Sequence, residues 1–429
     1  MKKTLISLSA ALLFFTSSQA LIFADTVEDP NQNVYVNVDV LETVSSIDLT
    51  YVLDKALKDS HNLAMLSLKY AAQGSKKGDL EEQMNEMGSP SFTPVHLPST
   101  PAEVTAPTNG LPGLTDPTDI AWTIMQDTAM NQILQGMGAL AGGMNKIISS
   151  QRAQMSTAAH QLGTDQRNSL LQTDEAKAGI RLQTIAQYVQ LLGQKKQLDF
   201  MNEYEAVMEK DLLRATLFAQ QGLASSDDVQ TVQKAINKQK DDKVALTNNY
   251  RLGLVQLSTD IGISYDPNLI VKDIEPISVE PITESDMTTL LKTSYQMKAS
   301  GNNMDEAVWE TGHSVTQNTY GETYLGINLA INGQKNEQTK LELTKKIQTT
   351  YNDAKNAYQA VLTEQRNLND VQGDLGKMKF RFDVGVISKH DLNKFALKVN
   401  QAETTLAAAK LKYYVLKEKA KAMDTGFIQ

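Results

Sequence analysis

Apolar side chains recur every seven positions between residues 335 and 424, a stretch that is otherwise polar and without proline. A period of seven sustained over several turns indicates a left-handed coiled-coil seam. Alanines in one of the rows would let neighbouring helices approach closely. The three rows are Ile347, Ala354, Val361, Leu368 and Leu375; Leu392, Val399, Leu406 and Tyr413; and Phe395, Ala402, Ala409 and Leu416.

A looser copy of this pattern lies between residues 166 and 262, which is also polar and helix-prone. Val229, Ile236 and Tyr250 keep the seven-residue row, whereas Lys243 interrupts it. The two blocks also share a short motif: "QQGLASSDDVQ" (220–230) matches "DVGVISKHDLN" (383–393) with a shift of 163. The chain is therefore predicted to contain an internal duplication.

Each copy of the motif reads Gly-x-x-Ser-x-x-Asp. A glycine supplies the positive φ that ends a helix. A serine three residues later can cap the next helix, with the aspartate in its first turn. One uninterrupted helix that tolerates a glycine, at a cost of about 1 kcal/mol relative to alanine, is the alternative. Because the same pattern occurs twice, we favour a tight turn, which makes each block a helical hairpin.

Two segments alternate apolar and polar residues and are predicted as strands. One is "NVYVNVDVLETV", with valines at 34, 36, 38 and 40, and the other is "ETYLGINLAINGQ", with Leu325, Ile327, Leu329 and Ile331. Short strand-like pieces also lie in the segment "PNLIVKDIEPISVEPITESDMTTLL". Helices are predicted for "SIDLTYVLDKALKDSHNLAMLSLKYAAQ" and for the two long blocks.

The region between residues 88 and 165 departs from this regularity. Seven of the eleven prolines fall between residues 88 and 119, which predicts a structureless surface loop. Met130, Met137 and Met144 follow, seven residues apart and close to several glycines. They indicate either a helix packed closely against another or a segment that inserts into or lies on a membrane.

The predicted fold class is mainly α, with long coiled-coil hairpins in two repeats and a few short β-strands. The predicted organisation is a signal peptide (1–20), an N-terminal strand with the first short helices of repeat 1 (21–87), a proline-rich loop (88–119), a Met/Gly-rich helical insert (120–165), the hairpin of repeat 1 (166–263), a linker with the short helix and strand of repeat 2 (264–334), and the hairpin of repeat 2 (335–429).

The N-terminus predicts export. Lys2 and Lys3 precede a short apolar core, and small residues at Ser18 and Ala20 suit a cleavage site. An uncleaved anchor is the alternative. The net charge of −9 disfavours a nucleic-acid partner, which requires a basic face. The chain contains no cysteine, so disulfides and thiolate sites are excluded, and its five histidines lack the spacing of metal ligands. No cofactor or metal is expected.

With its duplicated unit, its missing cysteines and its two glycine turns, the chain resembles the TolC family of outer-membrane efflux proteins. The segment "TYLGINLAINGQKNEQ" is also similar to the family's last barrel strand and the helix that follows. The resemblance implies a homotrimer that joins a periplasmic adaptor and an inner-membrane pump, with one end in the outer membrane. It also implies that the adaptor docks at the hairpin tips. The implied docking residues are Gly222, Leu223, Ala224, Ser225, Gly385, Val386, Ile387 and Ser388.

The family closes its pore with acidic residues six and nine positions after the second glycine. Those positions are Asp391, which fits, and Lys394, which does not. Asp391 and its counterpart Asp228 are therefore the candidates for a pore constriction, although an aspartate at a helix N-terminus is also simply stabilising. The family's membrane strands are matched poorly. The proline-rich loop and the Met/Gly segment stand in their place in the first repeat, so we expect a reduced or altered β-barrel.

Three classes of function follow from these patterns. A passive conduit for efflux or type I secretion is the first hypothesis, with the protein in the outer membrane and periplasm. An exported coiled-coil scaffold of the cell envelope that conducts nothing is the second. An enzyme is not expected, because the sequence has no phosphate-binding glycine loop, nucleophile elbow or metal-ligand cluster.

Overall fold

The computed structural model describes residues 41–429 apart from 89–90, 94, 108–112, 275–276 and 315–318. The predicted signal peptide and the strand predicted at residues 34–40 lie outside the described residues. Long α-helices dominate the described part, and two short strands pair in parallel. The elements are α1 (Leu49–Lys58), α2 (His61–Glu86), α3 (Pro101–Thr105), α4 (Pro117–Gln220), α5 (Ser226–Asp260), α6 (Met287–Thr293), α7 (Tyr295–His313), α8 (Thr319–Asp383), α9 (Lys389–Asp424), β1 (Ser46–Ile47) and β2 (Ile270–Val271).

Two helical hairpins form the body of the molecule. Helix α4 turns into α5, and α8 turns into α9, each at one of the two glycines. At a rise of 1.5 Å per residue, the 104 residues of α4 span about 156 Å. In the helices that the structure describes, no stretch is both long and apolar enough to cross a membrane.

The second hairpin is held together by the predicted seven-residue rows. Val361 and Leu368 of α8 pack with Val399, Leu406 and Tyr413 of α9 in one buried cluster. The alanine at 402 is buried in the same cluster, where its small side chain suits close helix contact. The prediction of a helical hairpin in this block is confirmed.

The first hairpin replaces part of its apolar row with an ion pair. Ile236 is buried as the row predicts. Lys243, which interrupts the row, places its Nζ 2.7 Å from Oε2 of Glu205 on α4. Hydrogen bonding and attraction from Lys243 hold the pKa of the Glu205 carboxyl below its usual value. The interruption is thus a polar contact across the same helix pair.

The middle of the molecule holds the largest core. Tyr188 of α4 is fully buried there, and its hydroxyl lies 2.7 Å from the carbonyl oxygen of Lys272 and 3.2 Å from that of Ile47. Ile47 belongs to β1, and Lys272 directly follows β2. Burial raises the pKa of the Tyr188 phenol far above its usual value. This core therefore joins β1 and the linker of repeat 2 to helix α4.

The strand predicted at Leu325–Ile331 is wrong, because these residues form part of helix α8. Leu325 and Leu329 are half-buried, one helical turn apart, and Asn328 donates a hydrogen bond to Glu310 of α7. Helix α7 thus offers a helical partner along this segment. The apolar alternation at every second residue also fits helical spacing at every fourth, and packing against α7 decides between the two.

The described part of the proline-rich region differs from the predicted structureless loop. It contains α3, whose first turn is closed by a capping box between Thr100 and Glu103, and its last residues begin α4. Hydrogen bonds from Ser99 and Thr100 lower the pKa of the Glu103 carboxyl to about 2. The predicted boundary between insert and hairpin at 165/166 falls inside α4, which runs on without a break.

Candidate functional site

The turn between α4 and α5 is built by one glycine. Gly222 has φ +74°, a left-handed conformation that glycine adopts without a steric cost. Its N–H donates to the carbonyl of Ala219, and the N–H of Leu223 donates to the carbonyl of Phe218 at 2.8 Å. This pair of bonds is a Schellman motif, which satisfies the last carbonyls of α4. Ser225 then caps α5.

The turn between α8 and α9 repeats this geometry. Gly385 has φ +76° and donates to the carbonyl of Phe382, while Val386 donates to the carbonyl of Arg381 at 2.8 Å. Ser388 caps α9. The pattern Gly-x-x-Ser-x-x-Asp therefore forms the same helix–turn–helix twice, as the sequence predicts.

Each turn exposes an apolar side chain directly after its glycine, and the second turn also exposes Val384. Leu223 is 71% exposed and its counterpart Val386 is 70% exposed. The next residues, Ala224 and Ile387, are half-buried. We call these two turns, residues 221–225 and 384–388, the tips. The two capped turns therefore present equivalent apolar residues at the same place in the two repeats.

Both candidate aspartates close capping boxes. The N–H of Asp228 donates to Oγ of Ser225, and the N–H of Ser225 donates back to Oδ2 of Asp228 at 2.9 Å. Asp391 and Ser388 form the same reciprocal pair. Hydrogen bonds from the serines lower the pKa of both carboxyls below the usual value. The structure therefore gives both aspartates a capping role.

An ion cluster joins the second tip to helix α4. Asp211 accepts a hydrogen bond from the Nζ of Lys394 at 2.8 Å and also contacts the ring of His390. Asp391 lies 3.6 Å from a guanidinium nitrogen of Arg214. These contacts connect the N-terminus of α9 to the neighbouring hairpin. They also give Lys394, which departs from the family pattern, a carboxylate partner.

The sequence motifs alone do not single out Asp211 and Arg214, although the duplication carries a signal for them. With the shift of 163 they correspond to Asp374 and Lys377, so an acid and a base precede both glycines at the same distances. In the second repeat the two residues pair with each other, with Nζ of Lys377 2.8 Å from Oδ1 of Asp374. In the first repeat the same positions reach across to α9.

The chain resembles solved structures of bacterial outer-membrane channels in fold. The outer membrane protein VceC from Vibrio cholerae matches with a TM-score of 0.58 and 10% identity over 89% of this chain and 97% of that protein. The CmeC outer membrane channel of Campylobacter jejuni matches with a TM-score of 0.57 and 12% identity over 89% of this chain and 86% of that protein. The outer-membrane channel OprN matches with a TM-score of 0.57 and 10% identity over 88% of this chain and 90% of that protein.

These matches cover nearly the whole of both chains. The chain has a TolC-like fold. No family model matches the sequence, and no curated protein matches it either. The two tips join α4 to α5 and α8 to α9 in this TolC-like fold. In the part of the chain that the structure describes, no group of three His, Asp or Glu residues could hold a metal ion.

Proposed function

We propose that this chain is a TolC-like passive conduit of the cell envelope. In this proposal it is exported, assembles as a homotrimer with one end at the outer membrane, and receives substrate from an inner-membrane pump through a periplasmic adaptor. The observation that carries the proposal is the pair of equivalent, capped tips on a fold shared with outer-membrane channels.

The tips are proposed as the adaptor's docking point. Leu223 and Val386 present apolar side chains at the ends of two rigid hairpins. Gly222 shapes the first turn and Gly385 the second. Ser225 and Ser388 cap the helices that follow them. A partner built as a helical hairpin could pack its own apolar tip residues between them.

Asp228 and Asp391 are proposed to contribute to the pore constriction near the tips. Their capping hydrogen bonds lower the pKa of both carboxyls below the usual value, so both carry a negative charge at neutral pH. Asp391 is partly neutralised by Arg214, and Lys394 is neutralised by Asp211, so the charge at this level differs between the two repeats. Asp228 forms no ion pair among the described residues and would carry the stronger negative field.

Adaptor capture tests the docking role of the tips. A double variant, Leu223→Asp with Val386→Asp, should copurify with at least about tenfold less adaptor, because the two apolar contacts become charged. Both side chains are exposed in the protomer, so the fold should persist by circular dichroism. Tyr320→Asp, an exposed position at the opposite end of α8, is the matched control and should bind normally. Equal capture by the tip variant and the control would contradict docking at the tips.

A deletion strain separates the conduit from a scaffold. Loss of the chain should raise the intracellular amount of at least one exported compound, and the tip variant should fail to restore export although it is made and folded. If no compound accumulates while the cell envelope changes shape or strength, the exported scaffold is the better account. A purified chain that is monomeric at all concentrations would also exclude the conduit.

A further inference from the structure

The first part of α4 projects beyond the two hairpins' shared body. We call residues 117–150 the arm, and the described part of residues 91–107 the strap. The strap runs back along one side of the arm. Asn131 donates to the carbonyl of Leu97 at 2.8 Å and accepts from its N–H at 2.9 Å. The ring of Phe92 lies 3.8 Å from where a Cβ on Gly138 would stand. One side of the arm is therefore covered within the protomer.

The other side of the arm carries an apolar row on which none of the described residues packs. Six residues follow the 3-4-3-4-3 spacing of coiled-coil a and d positions, and each is between 42% and 70% exposed. At 100° per residue the centre of the row lies roughly 150° from Asn131, so the strap does not reach it. We call this row the arm seam; its members are Met130, Ile133, Met137, Leu140, Met144 and Ile147.

The spacing and chemistry of the arm seam suit another helix of the same kind. A regular a/d row is the narrow stripe that a coiled coil buries, and no formal charge occurs between Asp127 and Lys146 to repel an identical partner. Ala129, Gly136 and Gly143 flank the row at seven-residue intervals, and a Cβ added at either glycine would meet nothing within 4 Å. These small residues allow a second backbone to approach.

A membrane surface fits the arm less well. Helices that lie on membranes are typically rich in lysine and arginine on their polar face. The arm carries only Asp119, Asp127 and Lys146, a net charge of −1 that gives no attraction to anionic lipids.

We infer that the arm seam is an interface between copies of this chain, formed by parallel arms that pack at the same height. In parallel packing Met137 of one copy lies against Met137 of the next, because identical positions share a level in a coiled coil. The inference rests on the proposed function in that both need several copies in one assembly. It adds an attachment between copies at the end of the molecule opposite the tips.

Cysteine cross-linking tests the arm seam directly, since the chain has no cysteine of its own. The full-length variant Met137→Cys should form disulfide-linked chains under mild oxidation, because the two sulfurs can meet only when their Cβ atoms are within about 4.5 Å. Gln135→Cys, exposed at the same height on the far side of the arm, is the matched control. The linked fraction should be about tenfold larger for Met137→Cys.

A second variant and a measurement with lipid vesicles complete the test. Adding Leu140→Asp to Met137→Cys should reduce the linked fraction about tenfold, because a charge would be buried in the seam. If the protein is oligomeric and still captures the adaptor, equal linked fractions at positions 137 and 135 would overturn this inference and leave the proposed function standing. A monomeric protein would overturn the proposed function as well. A fluorophore attached to Met137→Cys reports on lipid contact. If its emission shifts to the blue only with phosphatidylethanolamine–phosphatidylglycerol vesicles and no cross-link forms, the inference is overturned in favour of a lipid partner.

Discussion

At the scale of single residues, each of the two capping serines ties a tip to the helix that follows it. Each serine hydroxyl accepts the N–H of the aspartate three residues on, and each aspartate accepts the serine N–H in return. Two orphan donors at each helix start are therefore satisfied within a single turn. Glycine at φ +74° or +76° completes the reversal.

Removing one capping hydroxyl should loosen one tip without unfolding the protein. Ser388→Ala should cost about 1 kcal/mol, within the usual range for caps, because the Asp391 N–H loses its acceptor. Amide hydrogen exchange over residues 388–392 should then be about fivefold faster. Ser388→Thr retains the hydroxyl and should exchange nearly as slowly as the wild type. Unchanged exchange in Ser388→Ala would show that the cap is not what orders the tip.

The capping aspartates also predict a pH dependence. The pKa of Asp391 lies below the usual 3.8 in the folded chain because Ser388 donates to the carboxylate. A lowered acid pKa stabilises the fold above the unfolded value, and this stabilisation is lost as the pH falls through the folded value. The tip should therefore keep its cap down to about pH 4 and lose it below. Carbon-13 NMR of aspartate-labelled protein checks the midpoint, with Asp391→Asn assigning the signal; a midpoint above 3.8 would contradict the capping geometry.

At the scale of elements, the seven-residue rows do the work of holding two long helices side by side. Val361, Leu368, Val399 and Leu406 each bury more than nine-tenths of their surface between α8 and α9. The buried rows therefore determine which sides of α8 and α9 meet along this stretch. The sequence showed this directly because periodicity along a helix is a local property.

Shortening one member of a row should weaken the second hairpin. Leu406→Ala removes a side chain that is 5% exposed and should lower the free energy of unfolding by about 2–5 kcal/mol through lost burial and the cavity left behind. Glu403→Ala, on the exposed face of the same helix, should change it by less than about 0.5 kcal/mol. Guanidinium unfolding at one fixed protein concentration compares them; similar midpoints would mean that the row is not the source of stability.

At the scale of the whole molecule, the two hairpins touch near their tips through charge. Asp211 on α4 contacts both His390 and Lys394 on α9. The relative position of the tips therefore depends on an inter-hairpin contact that is absent from either repeat alone.

Removing this carboxylate should let the tips move apart. In Asp211→Ala, His390 and Lys394 lose their shared partner, so the distribution of distances between the tips should broaden. Glu209→Ala, which removes an ion pair inside the first hairpin, is the matched control and should leave it narrow.

Spin labels at Ser226→Cys and Lys379→Cys measure these distances by pulsed electron resonance. The labelled chain is mixed with an excess of unlabelled chain, so that only distances within one chain contribute. A distribution in Asp211→Ala as narrow as in the wild type would show that the helices, and not the ion cluster, fix the spacing of the tips.

The sequence by itself determined the two hairpins, their seven-residue rows and their glycine turns, because helix periodicity and capping depend on residues a few positions apart. Only the tertiary structure decided that residues 325–331 are helical, since α7 supplies a helical partner along the same face. It also decided that Asp211 reaches across to α9 while its counterpart Asp374 bonds to Lys377 in its own helix. Such choices depend on which element lies alongside, and a linear pattern does not contain that information.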